Sequence, residues 1–177
     1  MPPRQNHRHC RLLRLVISFR ASHGRPHSRH RLVGGFLAKV FWDTNLFIYL
    51  LEDNPVWAER VDQLRRRMLV RADQLYTSTL TVGEVLAKPM RQQRLDLVDQ
   101  YLAFFRRSSM NLLTFDLKAA QFYARLRGDV TIRPPDGIQL ACAAAANIDL
   151  FITNDNRLSK MTVPEIHFIV NLERAPI

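Results

Sequence analysis

The sequence predicts an α/β fold, a parallel sheet covered by helices on both faces. Three observations support it. Short apolar runs recur along the chain: KVFW at 39–42, LYT at 75–77, NLLTF at 111–115, LFIT at 150–153 and IHFIV at 166–170. Between them lie longer segments with apolar residues at helical spacing. One of these, DGIQLACAAAA at 136–146, is apolar nearly all round and so reads as a buried helix. Strands alternating with helices argue for a parallel sheet with both faces covered.

In chain order, KVFW is a short run of the kind a buried parallel strand shows. Asn45–Leu51 reads as a short helix. Pro55 opens a longer one to about Val70, with Val56, Ala58, Val61, Leu64 and Met68 on its apolar stripe. LYT is the second strand. Ser78 or Thr79 caps the helix that carries Glu84, and Pro89 is expected to end it. A further helix spans roughly Leu95 to Arg107, with Leu95, Val98, Leu102 and Phe105 inward. NLLTF is the third strand. Asp116 caps a helix that turns Ala119, Ala120, Phe122, Tyr123 and Leu126 inward. Pro134-Pro135 begins the apolar helix, as proline favours a first helical turn. LFIT and IHFIV complete five strands, and no internal repeat is visible.

Of 177 residues, 47% are hydrophobic, enough to bury the core of one domain. The formal charge of +10 is unevenly placed. Residues 1–39 hold nine Lys/Arg and no acid, so the remainder carries seventeen Lys/Arg against sixteen acids, a net of +1. The basicity therefore belongs to a leader, residues 1–38, set apart from a domain at 39–177. Five of the six histidines also lie in that leader. It reads as upstream sequence ahead of the native fold, with an RNA-binding arm and an organelle-targeting segment as the alternatives. Its few aromatics, Phe19 and Phe36, offer little for base stacking.

Cys10 and Cys142 match neither a zinc spacing nor a disulfide framework, and Cys142 reads as a small core residue. A reducing, cytoplasmic setting fits. No stretch reaches the ~20 apolar residues of a membrane span. The run LLRLVISF at 12–19 is short, is broken by Arg14, and has no small-residue cleavage site nearby.

Chemistry concentrates in four acids. Asp43 follows KVFW, Glu84 lies in LTVGEVLA, Asp136 heads the apolar helix and Asp155 follows LFIT. In open parallel sheets the active site lies beyond the carboxyl ends of the strands, which is where Asp43 and Asp155 fall. Carboxylates that converge repel one another unless a cation sits between them, and hard divalent ions prefer such oxygen donors. Each acid also has an ordinary reading. Asp43 caps a helix, Asp136 favours a helix dipole, Asp155 caps a turn and Glu84 pairs with Lys88 one turn on. Two details weigh against these. Glu84 shares a face with Leu80 and Ala87 and so points inward, and Asp136 heads a helix with no other charge.

D-T-N at 43–45, the Glu of T-V-G-E-V-L at 81–86, P-P-D-G-I-Q-L-A at 134–141 and T-N-D at 153–155 resemble the successive acidic motifs of PIN-domain ribonucleases. Size and order are most similar to the VapC-type toxins of bacterial toxin–antitoxin pairs. The resemblance covers about Lys39 to Val170. It implies a three-layer α/β/α fold around a five-stranded, mainly parallel sheet. It also implies Mg²⁺- or Mn²⁺-dependent cleavage of RNA, often a structured RNA such as a tRNA, a homodimer, and a cognate antitoxin that covers the active site. On it, Asp43, Glu84, Asp136 and Asp155 are the catalytic and metal-holding acids, with Asn45 and Thr153 as supporting polar residues. Gly137 stands where the family usually has Ala, which is expected to loosen that helix start.

The mechanism expected is hydrolysis assisted by one or two cations, with Asp43 and Asp136 in direct contact and Glu84 and Asp155 acting through water. His167, the only histidine outside the leader, is expected to pack in the last strand. Arg65, Arg66, Arg67, Arg91, Arg94, Arg106 and Arg107 are expected to be mainly solvated. Two rivals remain open. An aspartate-nucleophile phosphohydrolase would want a second Asp where Asn45 stands. A catalytically silent PIN-like module that binds RNA or protein would show a lost acid, and none is missing.

Overall fold

The computed structural model describes residues 37–107 and 109–176. The leader, apart from Leu37 and Ala38, lies outside the described residues, as does Cys10. The described chain forms strands β1 (Lys39–Trp42), β2 (Gln74–Ser78), β3 (Asn111–Leu113), β4 (Leu150–Thr153) and β5 (Phe168–Asn171). Its helices are α1 (Thr44–Leu51), α2 (Ala58–Arg71), α3 (Thr79–Arg91), α4 (Leu95–Arg107), α5 (Leu117–Leu126) and α6 (Pro134–Ala145). All four strand pairings are parallel, in the order β3-β2-β1-β4-β5.

Side chains alternate across β1, so its two faces meet two cores. Val40 and Trp42 pack with Leu46, Phe47, Leu64, Met68, Phe104 and Ile152, under α1 to α4. Phe41 faces the other way, stacked on Phe151 with ring centroids 4.8 Å apart, beside Leu140, Ala143 and Ile148 of α6 and the chain after it. The result is the three-layer arrangement expected, with the sheet wholly rather than mainly parallel.

Several boundaries differ for local reasons. The second helix starts at Ala58 rather than Pro55, because the Asn54 side chain accepts the N–H groups of Val56 and Trp57 and holds them in a turn. Val56 is consequently 70% exposed instead of lying on the stripe. Pro89 sits inside α3, which ends only where the Gln92 N–H closes on the Lys88 carbonyl. A proline this near the C-terminus removes one ladder bond without costing a long run of helix. In α4 the buried face is Val98, Tyr101, Phe104 and Phe105, with Leu95 exposed. Asp116 caps α5 as expected, accepting the Ala119 N–H at 2.8 Å.

Gly137 does not read as a loosened helix start. It is buried, and a Cβ there would lie 3.1 Å from the ring of Tyr123 and 3.5 Å from Ile132. The missing side chain lets α5 pack closely against α6. Cys142 is buried in α6, as expected of a core cysteine, and burial pushes its thiol up to about 11. Among the described residues no helix is long and apolar enough to cross a membrane.

Candidate active site

The strand order reverses between β1 and β4, and ligands in open parallel sheets bind where it does so. Register places Trp42 beside Ile152, so the residues that follow both strands leave the sheet side by side. Asp43 is the first residue past β1. Its N–H donates to the Ile152 carbonyl at 3.0 Å, stitching it to β4. Its carboxylate is then held from both sides. Oδ1 accepts the Thr44 N–H at 2.7 Å, the bond that caps α1, and Oδ2 accepts the Thr153 hydroxyl at 2.6 Å. Thr153 Oγ1 in turn accepts the Asp155 N–H at 3.0 Å. The chain Asp43–Thr153–Asp155 follows directly from β1–β4 pairing.

Glu84 enters from α3, whose start is set by Ser78 accepting the Thr81 N–H. Its Oε2 accepts the Thr44 hydroxyl and, at 3.3 Å, an N–H of Gln139. It does not pair with Lys88, which reaches Glu52 at 2.6 Å instead. Asp136 lies in the first turn of α6, where Pro134 and Pro135 set the backbone angles. Its Oδ2 accepts from Arg157 Nη2 at 2.6 Å. Asp155 caps its own turn, with Oδ1 accepting the N–H groups of Arg157 and Leu158.

Five of the six sequence-predicted residues, Asp43, Asn45, Glu84, Asp136 and Asp155, line one cleft of ≈ 270 Å³. Thr153 is fully buried beneath it. Reading the sequence missed Gln139 and Arg133, which line the same cleft, and Arg157, which clamps two of its acids. A signal existed for Gln139, since an amide on an otherwise apolar buried helix needs partners.

Asp43 is only 8% exposed, and burial above all, with the nearby charges of Asp136 and Glu84, pushes its carboxyl up to about 6 against the opposing bonds from Thr153 and Thr44. Asp155 moves the other way. Burial pulls it up, but the Arg157 and Leu158 N–H groups and the Arg157 guanidinium outweigh that and leave it below the usual carboxylate range. Two acids of one cleft thus sit in opposite electrostatic environments.

Among the described residues no three Asp, Glu, His or Cys side chains gather closely enough to share one ion. Arg157 holds Asp136 and Asp155, and Thr44 and Gln139 hold Glu84. The donor set still fits a hard divalent ion. It is all oxygen, and Mg²⁺ is commonly held by one or two carboxylates and several waters rather than by a protein cage. Asp43, buried beside like charges, is the position that gains most from a cation.

A second cavity of ≈ 280 Å³ lies among Trp42, Arg65, Met68, Asp73 and Asn111. Its one carboxylate, Asp73, is already bound to Arg71 and the Ala38 N–H, so it offers no comparable chemistry. Arg65 is buried against Asp62 rather than solvated, Arg66 also reaches Asp62, and Arg94 pairs with Asp96. Arg67, Arg91 and Arg106 are exposed as expected, and the Arg107 side chain lies outside the described residues. His167 is not packed in a strand. It sits exposed just before β5, 3.1 Å from Asp149 at the opposite end of the sheet from the cleft.

The PIN domain family model matches residues 40–164. Two solved structures share the fold. The VapBC2 complex of Rickettsia felis bound to a promoter DNA fragment matches at 17% identity and a TM-score of 0.60, covering 75% of this chain and 98% of that one. A toxin–antitoxin complex from Klebsiella pneumoniae matches at 19% identity and a TM-score of 0.52, covering 75% and 97%. Comparison with curated proteins finds no sequence match.

Proposed function

This chain belongs to the PIN-domain family, and from that premise we propose that it is a metal-dependent endoribonuclease, the toxin of a VapBC-type toxin–antitoxin pair. The observation that carries the reading is the convergence of Asp43, Glu84, Asp136 and Asp155 on one cleft at the point where the strand order reverses. Two solved structures that share the fold are toxin–antitoxin complexes, which supports a cognate antitoxin and a cytoplasmic setting. The substrate is RNA, structured RNA such as tRNA included, and the protein acts as a homodimer.

Mg²⁺ or Mn²⁺, held by Asp43 and Asp136 with Glu84 and Asp155 behind water, would neutralise charge on the scissile phosphate and ease deprotonation of the attacking water. The protein's own groups prepare for this. Thr153 and the Thr44 N–H fix the Asp43 carboxylate in one orientation. Thr44 and Gln139 do the same for Glu84. Asn45 also lines the cleft, and Arg133, an exposed residue of the same lining, offers a guanidinium to an RNA phosphate. A silent binding module would be favoured by a missing acid, and all four are present.

Purified protein incubated with total cellular RNA and Mg²⁺ or Mn²⁺ is expected to yield discrete fragments. These should vanish in EDTA, in Asp136→Asn and in Glu84→Gln, each variant remaining folded. Cleavage that survives EDTA would sink the metal-dependent mechanism. Folded, partner-free protein that cleaves nothing would favour the binding module instead.

Residues 1–38 fall outside the nuclease domain on this reading, since the family match begins at residue 40. Deleting residues 1–36 is expected to leave thermal stability and cleavage unchanged. A truncated protein that fails to fold, or loses RNA affinity, would show that the leader is part of the working molecule.

A further inference from the structure

Arg157 is the most heavily engaged cation at the cleft. Nη1 donates to the Thr131 carbonyl at 2.8 Å, and Nη2 donates to Asp136 Oδ2 at 2.6 Å and Asp155 Oδ2 at 3.2 Å. The Thr131 turn is itself fixed, because Asp129 accepts both its N–H and its hydroxyl. Three separate segments therefore meet on one guanidinium: the turn before α6, the first turn of α6 and the loop after β4. A rigid planar fork with donors on both terminal nitrogens can do this, whereas an ammonium acts as a point charge.

The bonds also change what Asp155 is free to do. Oδ1 is taken by two backbone N–H groups and Oδ2 by Arg157, so both of its oxygens are committed to the segment that follows it. Asp155 lines the cleft with these bonds already made, and Arg157 links it there to Asp136. A pair this exposed adds little to stability, since the Arg157 side chain is 36% accessible and surface ion pairs contribute little. Its consequence is local charge: one positive group bonded to an acid that a divalent ion would also need.

We propose that Arg157 is the cleft's internal counter-ion, a positioning residue anchored by Asp155 and the Thr131 carbonyl, which holds Asp136 in the metal-free protein and competes with a divalent ion for it. This rests on the metal-nuclease reading above. It gives Asp155, whose reach to the ion would run through water, a second role as the anchor of Arg157.

The test is Mn²⁺ binding by the full-length, metal-free protein, read by calorimetry and by the rise in melting temperature that Mn²⁺ produces. Arg157→Gln removes the charge and keeps a hydrogen-bonding group; Arg157→Lys keeps the charge. Arg157→Gln is expected to bind Mn²⁺ about fivefold more tightly, the upper range for losing one partly exposed charge pair, and to show a larger Mn²⁺-induced rise in melting temperature. Arg157→Lys should return towards the wild-type affinity. Equal or weaker Mn²⁺ binding by Arg157→Gln would overturn the proposal, as would a Lys variant that behaves like the Gln variant. Asp43→Asn separates the two readings. If wild type binds Mn²⁺ and Asp43→Asn does not, the metal site stands whatever Arg157 does. If wild type binds no Mn²⁺ at all, both readings fall.

Discussion

Asp43→Asn is expected to lower RNA cleavage by about 10²–10³-fold, the scale on which a group aimed at developing charge acts, and at the same time to stabilise the metal-free protein at neutral pH. Both effects have one origin. The carboxylate is buried at the end of β1 with Asp136 and Glu84 nearby, so its ionised form is disfavoured until a cation arrives. The sign follows from linkage. The folded carboxyl titrates near 6 and the unfolded one at 3.8, so the folded protein keeps a proton that the unfolded chain has lost. Stability from this group is fully present below about pH 4, declines between about pH 4 and 6, and is gone above that range. Asn cannot ionise, yet its carbonyl still accepts one of the two bonds Asp43 receives from Thr44 and Thr153. The variant should therefore gain on wild type, on the order of 2 kcal/mol at pH 7.5 and little at pH 4, because holding a proton tenfold more tightly corresponds to about 1.4 kcal/mol. Urea unfolding in EDTA at both pH values measures the gap. A gap that does not widen with pH, or an Asn variant less stable than wild type at pH 7.5, would remove the electrostatic account of the site.

The sheet was legible because a buried parallel strand leaves a continuous apolar run, and the runs ending at Trp42 and Thr153 mark the strand ends that aim Asp43 and Asp155. Helix starts read well where a side chain caps them, as at Ser78 and Asp116, because capping is a local bond between neighbours in sequence. What escaped was long-range or required choosing between equals. Arg157 looks like any other arginine until the turn at Thr131 and the start of α6 come to it across some twenty residues of chain. Lys88 was one helical turn from Glu84, but Glu52 on a different element was the better partner. Val56 fits the apolar stripe by count, yet the Asn54 turn withholds it from the helix. Three acids of the cleft could be read as a set because each stands at an element's edge, Asp43 and Asp155 just past strands and Asp136 in a first helical turn, while Glu84 lies within α3. Of the groups that orient them, Thr153 was read with its own motif, whereas Arg157 and Gln139 reach across the fold.

Gln139 is the clearest of those orienting groups, and its loss is expected to be the most damaging single change to the polar interior. The side chain is 2% exposed and fully employed. Oε1 accepts the Ser78 hydroxyl at 2.6 Å, and Nε2 donates to Thr44 and Thr81, both at 2.9 Å, and to Glu84 at 3.3 Å. One amide of α6 thus ties the starts of α1 and α3 together behind the acids, and Thr77, 2.9 Å from Thr81 and donating to the Trp42 carbonyl, closes the cluster. Gln139→Leu keeps the volume and removes every one of these bonds. Because a buried polar group left without its partner costs about 1–3 kcal/mol, and Ser78 and Glu84 both lose one, a destabilisation of about 3 kcal/mol is expected. That corresponds to a fall of roughly 6–12 °C in melting temperature for a chain of this size. Cleavage should fall about tenfold besides, at temperatures where the variant is still folded, since Glu84 would keep only the Thr44 hydroxyl to orient it. Gln139→Glu should be worse at pH 7.5 than at pH 5, as it sets a second carboxylate against Glu84 where an N–H stood. Near-wild-type melting and cleavage in Gln139→Leu would mean that Ser78, Thr44 and Thr81 can satisfy one another alone, and that the amide is only filling space.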